Sequence, residues 1–427
     1  MNYMNNISPI DGRYKRYTSE LNNLFSENAL IKARLILEVK YFIFLSKLNT
    51  SSFPYNKTFC DFLDKYCDEI LDDDICEIKK IEDRINHDVK SIEYYLSEVL
   101  KLYDCEDYIN LLHFGLTSQD VNTMVYSLSL KNFNNSIFIH NFDTLTTSIQ
   151  DKVLTWNKIV IVGRTHGQPA TWTLLGKEFN VFKTKLVEEV EFIKDYKFTA
   201  KFGGAVGNMT SHKIFANLDW PTLLNEFVEG FGLKRSEVTT QIHNYNEYAR
   251  YFDGLKRICS ILIDMCVDIW LYCSFGELTL NKPKEHVGSS IMPHKVNPIE
   301  FENAEGNLKI AEMWLEFMSR ELCKSRLQRD LTDSTILRNL GTVFGHLLIG
   351  MKNICKGLTY LVANEDKIEK NLFENLSSMS EVDQHILRKA NKVSGYDTVK
   401  TELATETEIE YNIPDLSAKV SYYKQFI

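Results

Sequence analysis

At 427 residues the chain is longer than one hydrophobic core usually organises, so two or three domains are expected. Hydrophobic residues at 44% and charged residues at 25% exclude wholesale disorder. The formal charge of -9 excludes a generic nucleic-acid binder, whose affinity comes from basic side chains on phosphates. Any anionic ligand must therefore be met by a local basic cluster working against the overall field.

The first segment, MNYMNNISPIDGRYKRY, has no apolar stretch of signal-peptide type. Residues 1–111 read as a small N-terminal helical domain. A long helix without proline is expected between Thr117 and Gln150, and Lys158 to Val162 is the one clear strand candidate. Phe179, Phe182, Leu186, Val190 and Ile193 recur at helical spacing, as do Leu255, Ile258, Leu262, Met265 and Ile269. Asp264 and Asp268 interrupt the most apolar stretch, Ile258 to Phe275, at a cost a lipid-spanning helix does not bear. Asn297-Pro298 predicts a helix start with Asn297 as cap and proline at the first position. A fifth long helix follows Asp333 and runs to Ile354, and a polar C-terminal domain occupies residues 365–427. The fold class is thus all-α, with a central bundle of five long helices in residues 112–364. Central helices with more than one apolar face predict burial against further copies of the chain.

None of the nine cysteines forms Cys-X-X-Cys, and the odd number predicts reduced thiols in a cytoplasmic setting. Cys259, Cys266 and Cys273, seven apart, fall on one stripe of a helix. The histidines show no HxxxH or HExxH pair, and Asp72-Asp73-Asp74 reads as a solvated turn, so no metal site is expected. FGGAVGN, Phe202 to Asn208, lacks the lysine-hydroxyl ending of a phosphate-binding loop.

The strongest chemical signal is GSSIMPHKVNP, Gly288 to Pro298, within a loop spanning residues 282–298. Its glycine, prolines and paired serines make it a loop, and it carries hydroxyls, a histidine, a lysine and an asparagine. From the residues alone it is either a mobile cover over a site or a solvated linker. Arg164-Thr165-His166-Gly167-Gln168-Pro169 reads as a turn-rich approach to a helix, presenting a side chain whose ordinary pKa suits proton transfer near neutrality. Arg329 and Arg338 would point to opposite faces of one continuous helix. A break capped by Asp333 would place Ser334 and Arg338 one turn apart on the same face, where arginine forks suit phosphate.

GSSIMPHKVNP resembles the signature of the fumarase/aspartase superfamily. SPIDGRY (Ser8 to Tyr14), NHDVK (Asn86 to Lys90), HFGLTSQDVN (His113 to Asn122), GRTHGQPAT (Gly163 to Thr171) and QRDLTDSTILRN (Gln328 to Asn339) resemble its bacterial-type adenylosuccinate lyase family. The resemblance runs in the family's order from the first ten residues to Asn364 and is weak over the last sixty. It implies a three-domain fold and β-elimination of fumarate from adenylosuccinate and SAICAR, in a cytoplasmic homotetramer with sites shared between subunits. It implies no cofactor, nucleic acid or membrane partner.

The chemistry needs a base for a weakly acidic proton, an acid for the departing nitrogen, and fixed positive charge for a carboxylate dianion. The resemblance gives the base to Ser289 and the acid to His166, with His87 the competing acid. It assigns Ser290, Lys295 and Asn297 to the substrate, the last two to its carboxylates. Arg13, Tyr14, Asn86, His87, Asp88, Thr117, Ser118, Gln241, Asn303, Arg329, Ser334 and Arg338 are implied as further substrate-binding residues. It also implies that FGGAVGN is a flexible connection.

Overall fold

The computed structural model describes residues 6–48, 55–215, 217–283, 292, 295–390, 395–405 and 416–427. It is 69% helical. In chain order the main helices are α1 (Glu27–Lys47), α2 (Lys57–Asp68), α3 (Asp72–Ile85), α4 (Asp88–Leu102), α5 (Ser118–Asn132) and α6 (Ile139–Thr155). After a hairpin come α7 (Leu175–Val190), α8 (Trp220–Glu229), α9 (Asn246–Ser274), α10 (Ile299–Glu321), α11 (Thr332–Leu337) and α12 (Leu340–Tyr360). The chain finishes with α13 (Glu365–Glu374), α14 (Ser380–Lys389), α15 (Gly395–Thr405) and α16 (Leu416–Lys424). The starts follow side-chain chemistry: Ser26, Asn56, Asp219 and Asn364 each accept an N–H from the first turn they cap. The acidic run at Asp72 is the first turn of α3, where carboxylates suit the helix dipole, rather than a solvated turn.

Among the described residues the expected single strand is replaced by six short ones in three two-stranded sheets: β1 (Val160–Thr165) with β2 (Gln168–Leu174), β3 (Thr199–Lys201) with β4 (Lys234–Ser236), and β5 (Leu278–Leu280) with β6 (Leu361–Ala363). Four are three residues long, too short for alternation to register, and β2 contains proline.

The chain divides into two compact units, and the divisions fall inside the long helices. Unit 1 comprises residues 1–141, 189–259 and 309–349. Its core joins Leu35, Tyr41 and Phe42 of α1, Val121, Met124 and Val125 of α5, and Tyr248, Tyr251 and Phe252 of α9, all at most 1% exposed. A π-helical turn, Phe133–Phe138, follows α5. In it Phe133 stacks on Phe344 at 4.0 Å, and the buried Asn134 amide donates to Ile193 O at 2.8 Å and accepts from Tyr251 OH at 3.1 Å.

Unit 2 comprises residues 142–188, 260–308 and 350–427. There Val160, Val162 and Trp172 of the hairpin pack with Leu372, Met379, Val420 and Tyr423, so the C-terminal helices support the hairpin. Cys259 and Cys266 are buried and Cys273 is half-buried, as the seven-residue stripe predicts. Among the described residues, no helix is long and apolar enough to cross a membrane.

Candidate active site

In unit 1, a cavity of about 390 Å³ is lined by Asn86, His87, Asp88, Ser118, Asn122, Arg329, Ser334 and Arg338, with Glu82 and Leu331. The α3–α4 corner builds one wall. Asn86 takes the left-handed conformation at φ 54 to end α3, and His87 caps α4, its Nδ1 accepting Lys90 N–H at 3.0 Å. That acceptor role gives His87 a structural duty beside any contact with a ligand. Asp88, in the first turn of α4, pairs with Arg34 and with Arg338, each at 3.2 Å. Burial pushes its carboxyl up, but the two guanidinium groups outweigh this and hold it below the ordinary carboxylate range.

The opposite wall confirms the break expected between Arg329 and Arg338, because residues 323–331 are not helical. The capping assignment is corrected. Leu331 holds the N-cap position of α11, and Asp333 lies inside its first turn. Asp333 is 5% exposed and accepts from Gln119 Nε2 at 3.0 Å, Tyr245 OH at 2.8 Å and Ser334 N at 2.7 Å. It ties α11 to α5 and to Tyr245, the residue just before α9, and so holds Ser334 at the cavity. Arg329 donates to Gln241 Oε1 at 3.3 Å and Ser334 Oγ at 3.4 Å. Among the described residues no carboxylate pairs with its guanidinium, which leaves its charge for an incoming anion. Gln241 is thereby joined to the cavity wall, and Thr117 opens α5 beside Ser118, its N–H donated to Asp120 at 2.7 Å. Arg13 and Tyr14 lie on an N-terminal turn of the same unit and do not line this cavity; Arg13 is exposed.

Unit 2 carries the other expected residues. His166 is not on an approach to a helix: with Gly167 it forms the two-residue turn of the β1–β2 hairpin, Thr165 facing Gln168. Both turn residues have positive φ, 53° and 74°, the pattern of a type I′ turn. The imidazole stands exposed at the tip. Below it, Ile161 faces Thr173 while Gly163 faces Ala170, which puts a bulge in β2. Gly163 is required there, since a Cβ would lie 2.3 Å from Thr171 O. Arg164 lies 3.9 Å from the buried Glu277 and 4.2 Å over the Phe275 ring, and Trp172 Nε1 donates to Ser378 Oγ at 3.1 Å, so the stem is anchored.

Ser289 and Ser290 lie outside the described residues. Lys295 is exposed, and its N–H donates to Met292 O at 3.0 Å. The expected helix opens one residue late, at Ile299, with the Pro298 carbonyl taking the Glu302 N–H at 3.2 Å. Lys282 Nζ donates to Asn297 O at 2.9 Å and to Glu300 Oε2 at 2.6 Å, and Lys356 lies 3.4 Å from the other oxygen of Glu300. Burial pushes the Glu300 carboxyl up, but the bond from Lys282 brings it below the ordinary range. Asn303 is half-buried one turn into α10, its carbonyl accepting from Asn307 at 2.8 Å.

Sequence reasoning missed Arg34, Asn122 and the Lys282–Glu300 pair. Asn122, which accepts from Arg34 Nε at 2.9 Å, was legible as four residues after Ser118 on the same helical face. Arg34 lies in an apolar helix run and gave no signal.

The arrangement in unit 1 suits a phosphate or carboxylate; that in unit 2 offers an exposed imidazole and a lysine–asparagine segment. Solved structures share the fold. A fumarate lyase from Mesorhizobium sp. BNC1 aligns with a TM-score of 0.77 over 96% of this chain and 95% of its own, at 13% identity. β-Carboxy-cis,cis-muconate cycloisomerase from Acinetobacter calcoaceticus sp. ADP1 aligns at 0.72 over 96% and 92%, at 17% identity. The fold is that of the fumarase/aspartase lyases.

The sequence narrows this further. The family profile described as Lyase matches residues 12–311, and that described as Adenylosuccinate lyase C-terminal matches residues 325–420. Adenylosuccinate lyase of Dictyostelium discoideum is 40% identical over 435 aligned positions, covering 98% of this chain and 93% of that protein. That of Escherichia coli K12 is 34% identical over 401 positions, covering 92% and 87%. The chain belongs to the adenylosuccinate lyase family.

Proposed function

We propose that the protein is a carbon–nitrogen lyase that eliminates fumarate from adenylosuccinate, giving AMP, and from SAICAR, giving AICAR, in purine nucleotide biosynthesis. Membership of the family carries the reaction. The observation that carries the site is the unit 1 cavity, where Arg329, without a carboxylate partner among the described residues, offers its fork beside Ser334, Ser118 and Arg338. In this reading the substrate phosphate binds to Arg329, Ser334 and Arg338, joined at the substrate by Arg13 and Tyr14; Thr117, Ser118, Gln241 and Asn303 take its succinyl and base portions, and Asn86, His87 and Asp88 are further substrate contacts.

Ser289, activated as an alkoxide, takes the proton from the carbon beside a succinyl carboxylate. Lys295 and Asn297 stabilise the doubled charge that forms on that carboxylate, with Ser290 beside them. The carbon–nitrogen bond then breaks, the electron pair goes to nitrogen, and His166 delivers the proton that lets it leave. Exposure of His166 at a hairpin tip supports a role completed by a neighbouring subunit. Exposed apolar side chains on the long helices, Trp270 and Leu271 of α9 and Met313 and Phe317 of α10, support burial against further copies of the chain, in the assembly proposed here as a cytoplasmic homotetramer.

The test is to incubate purified protein with adenylosuccinate or SAICAR and follow fumarate together with AMP or AICAR. A folded tetramer that turns over neither substrate refutes the reading.

A further inference from the structure

The glycine-rich segment Phe202 to Asn208 is not a loose connection. Asp120 and Lys201 form an ion pair at 2.8 Å with both side chains 0% exposed. Burying two charges is costly and is offset only when the geometry is good and further hydrogen bonds satisfy the remaining lone pairs and protons. Here they are placed with that economy. Asp120 Oδ1 also accepts from Gly203 N at 2.7 Å and Gly204 N at 3.2 Å, Oδ2 accepts Thr117 N at 2.7 Å, and Lys201 Nζ donates to Gly204 O at 2.6 Å.

One carboxylate therefore joins the start of α5, where Thr117 and Ser118 sit, to the glycine loop. Gly204 has φ +82°, and a Cβ there would lie 2.7 Å from Gly115 O, so the loop lies flush against the segment that leads into Thr117. Its far side holds Gln241: Ala205 O accepts Gln241 Nε2 at 2.8 Å, and Gln241 Oε1 accepts from Arg329 at 3.3 Å. A continuous set of hydrogen bonds runs from the buried pair through the loop to the guanidinium at the cavity. All of these residues belong to unit 1.

We infer that Asp120 and Lys201 are positioning residues for nucleotide binding, acting through the glycine loop to set Thr117, Gln241 and Arg329 together. The inference rests on the proposed assignment of Gln241 and Arg329 to the substrate. Its signature is a binding defect. The reacting groups are untouched, so KM for adenylosuccinate rises while kcat stays within about threefold of wild type, the pattern of lost uniform binding.

The experiment compares Asp120→Asn, Gly204→Ala and the control Arg329→Ala, each checked for wild-type circular dichroism and mass, using AMP as the probe. Asp120→Asn removes the charge, whereas Gly204→Ala keeps the pair and displaces the loop, so it decides the matter if Asp120→Asn does not fold. The expected result is an AMP affinity about tenfold weaker in folded Asp120→Asn and Gly204→Ala, the worth of roughly one hydrogen bond, and at least as large a loss in Arg329→Ala. Wild-type AMP affinity in a folded Asp120→Asn or Gly204→Ala protein, with the affinity lost in Arg329→Ala, overturns the inference and leaves the site standing. Unchanged affinity in Arg329→Ala overturns the assignment of the site itself.

Discussion

Replacing Arg329 with methionine probes the cavity most directly, because its size follows from the partners that the side chain has without ligand. Among the described residues its two hydrogen bonds are long, 3.3 and 3.4 Å, and both acceptors are neutral. Little stability is lost with them, so unfolding free energy should change by no more than about 0.5 kcal/mol. A phosphate, in contrast, receives a charge-assisted fork worth about 1.5–3 kcal/mol, or roughly 10- to 150-fold in affinity. Calorimetric titration with AMP should therefore show a large loss in a variant that melts almost as wild type does. Arg329→Lys should recover part of it, since the charge returns without the fork. An AMP affinity in Arg329→Met within about threefold of wild type, well short of a charge-assisted bond, would refute the argument.

Three further outcomes are expected. His166→Ala should lower kcat by about 10²- to 10⁴-fold, and His166→Gly should be equally inactive yet more stable than His166→Ala by about 1 kcal/mol, because φ 53 suits glycine; equal melting temperatures would contradict the turn geometry. His113 pairs with the buried Glu38 at 2.6 Å; burial alone pushes the imidazole down, but Glu38 outweighs it and the folded pKa lies above the ordinary value. That contribution is fully present below the unfolded pKa and lost as pH rises through the folded one, so the melting-temperature gap between wild type and Glu38→Gln should be wider at pH 6 than at pH 9. Lys282→Met leaves the buried Glu300, among the described residues, with Lys356 as its ion-pair partner and should cost about 3 kcal/mol by denaturant unfolding, a loss below about 1 kcal/mol arguing against a buried pair.

The long helices were legible because apolar residues at three- and four-residue spacing extend over many turns: Leu255, Leu262 and Ile269 announce α9 before any contact is known. The three-residue strands were not, since their existence depends on pairing between segments as distant as Leu280 and Leu361. The break between Arg329 and Arg338 could be argued from the need for both to reach one ligand. Its cause could not, because Asp333 is held by Gln119 and Tyr245, more than 200 and 80 residues away in sequence. The hairpin at His166 reads in sequence only as a turn-rich approach to a helix, because His-Gly is not among the dipeptides, such as Asn-Gly or Asp-Gly, that mark a two-residue hairpin turn. Asp120 stood in plain view within HFGLTSQDVN, but nothing in sequence showed that Lys201 is its partner.

The hairpin beneath His166 has a consequence for how members of this family can diverge. A strand advances about 3.4 Å per residue, and adding one residue to a strand turns its following side chains to the opposite face. The reach of the imidazole is therefore quantised. Balanced additions of one residue to β1 and one to β2 move the tip outward by a whole step, and unbalanced ones need a bulge to absorb the mismatch, as the Thr171–Trp172 region already does. Because the proposed proton transfer tolerates errors far smaller than one such step, length changes in residues 160–174 should be nearly absent among active relatives, and changes in α16, whose Val420 and Tyr423 pack against the hairpin, should be rare with them.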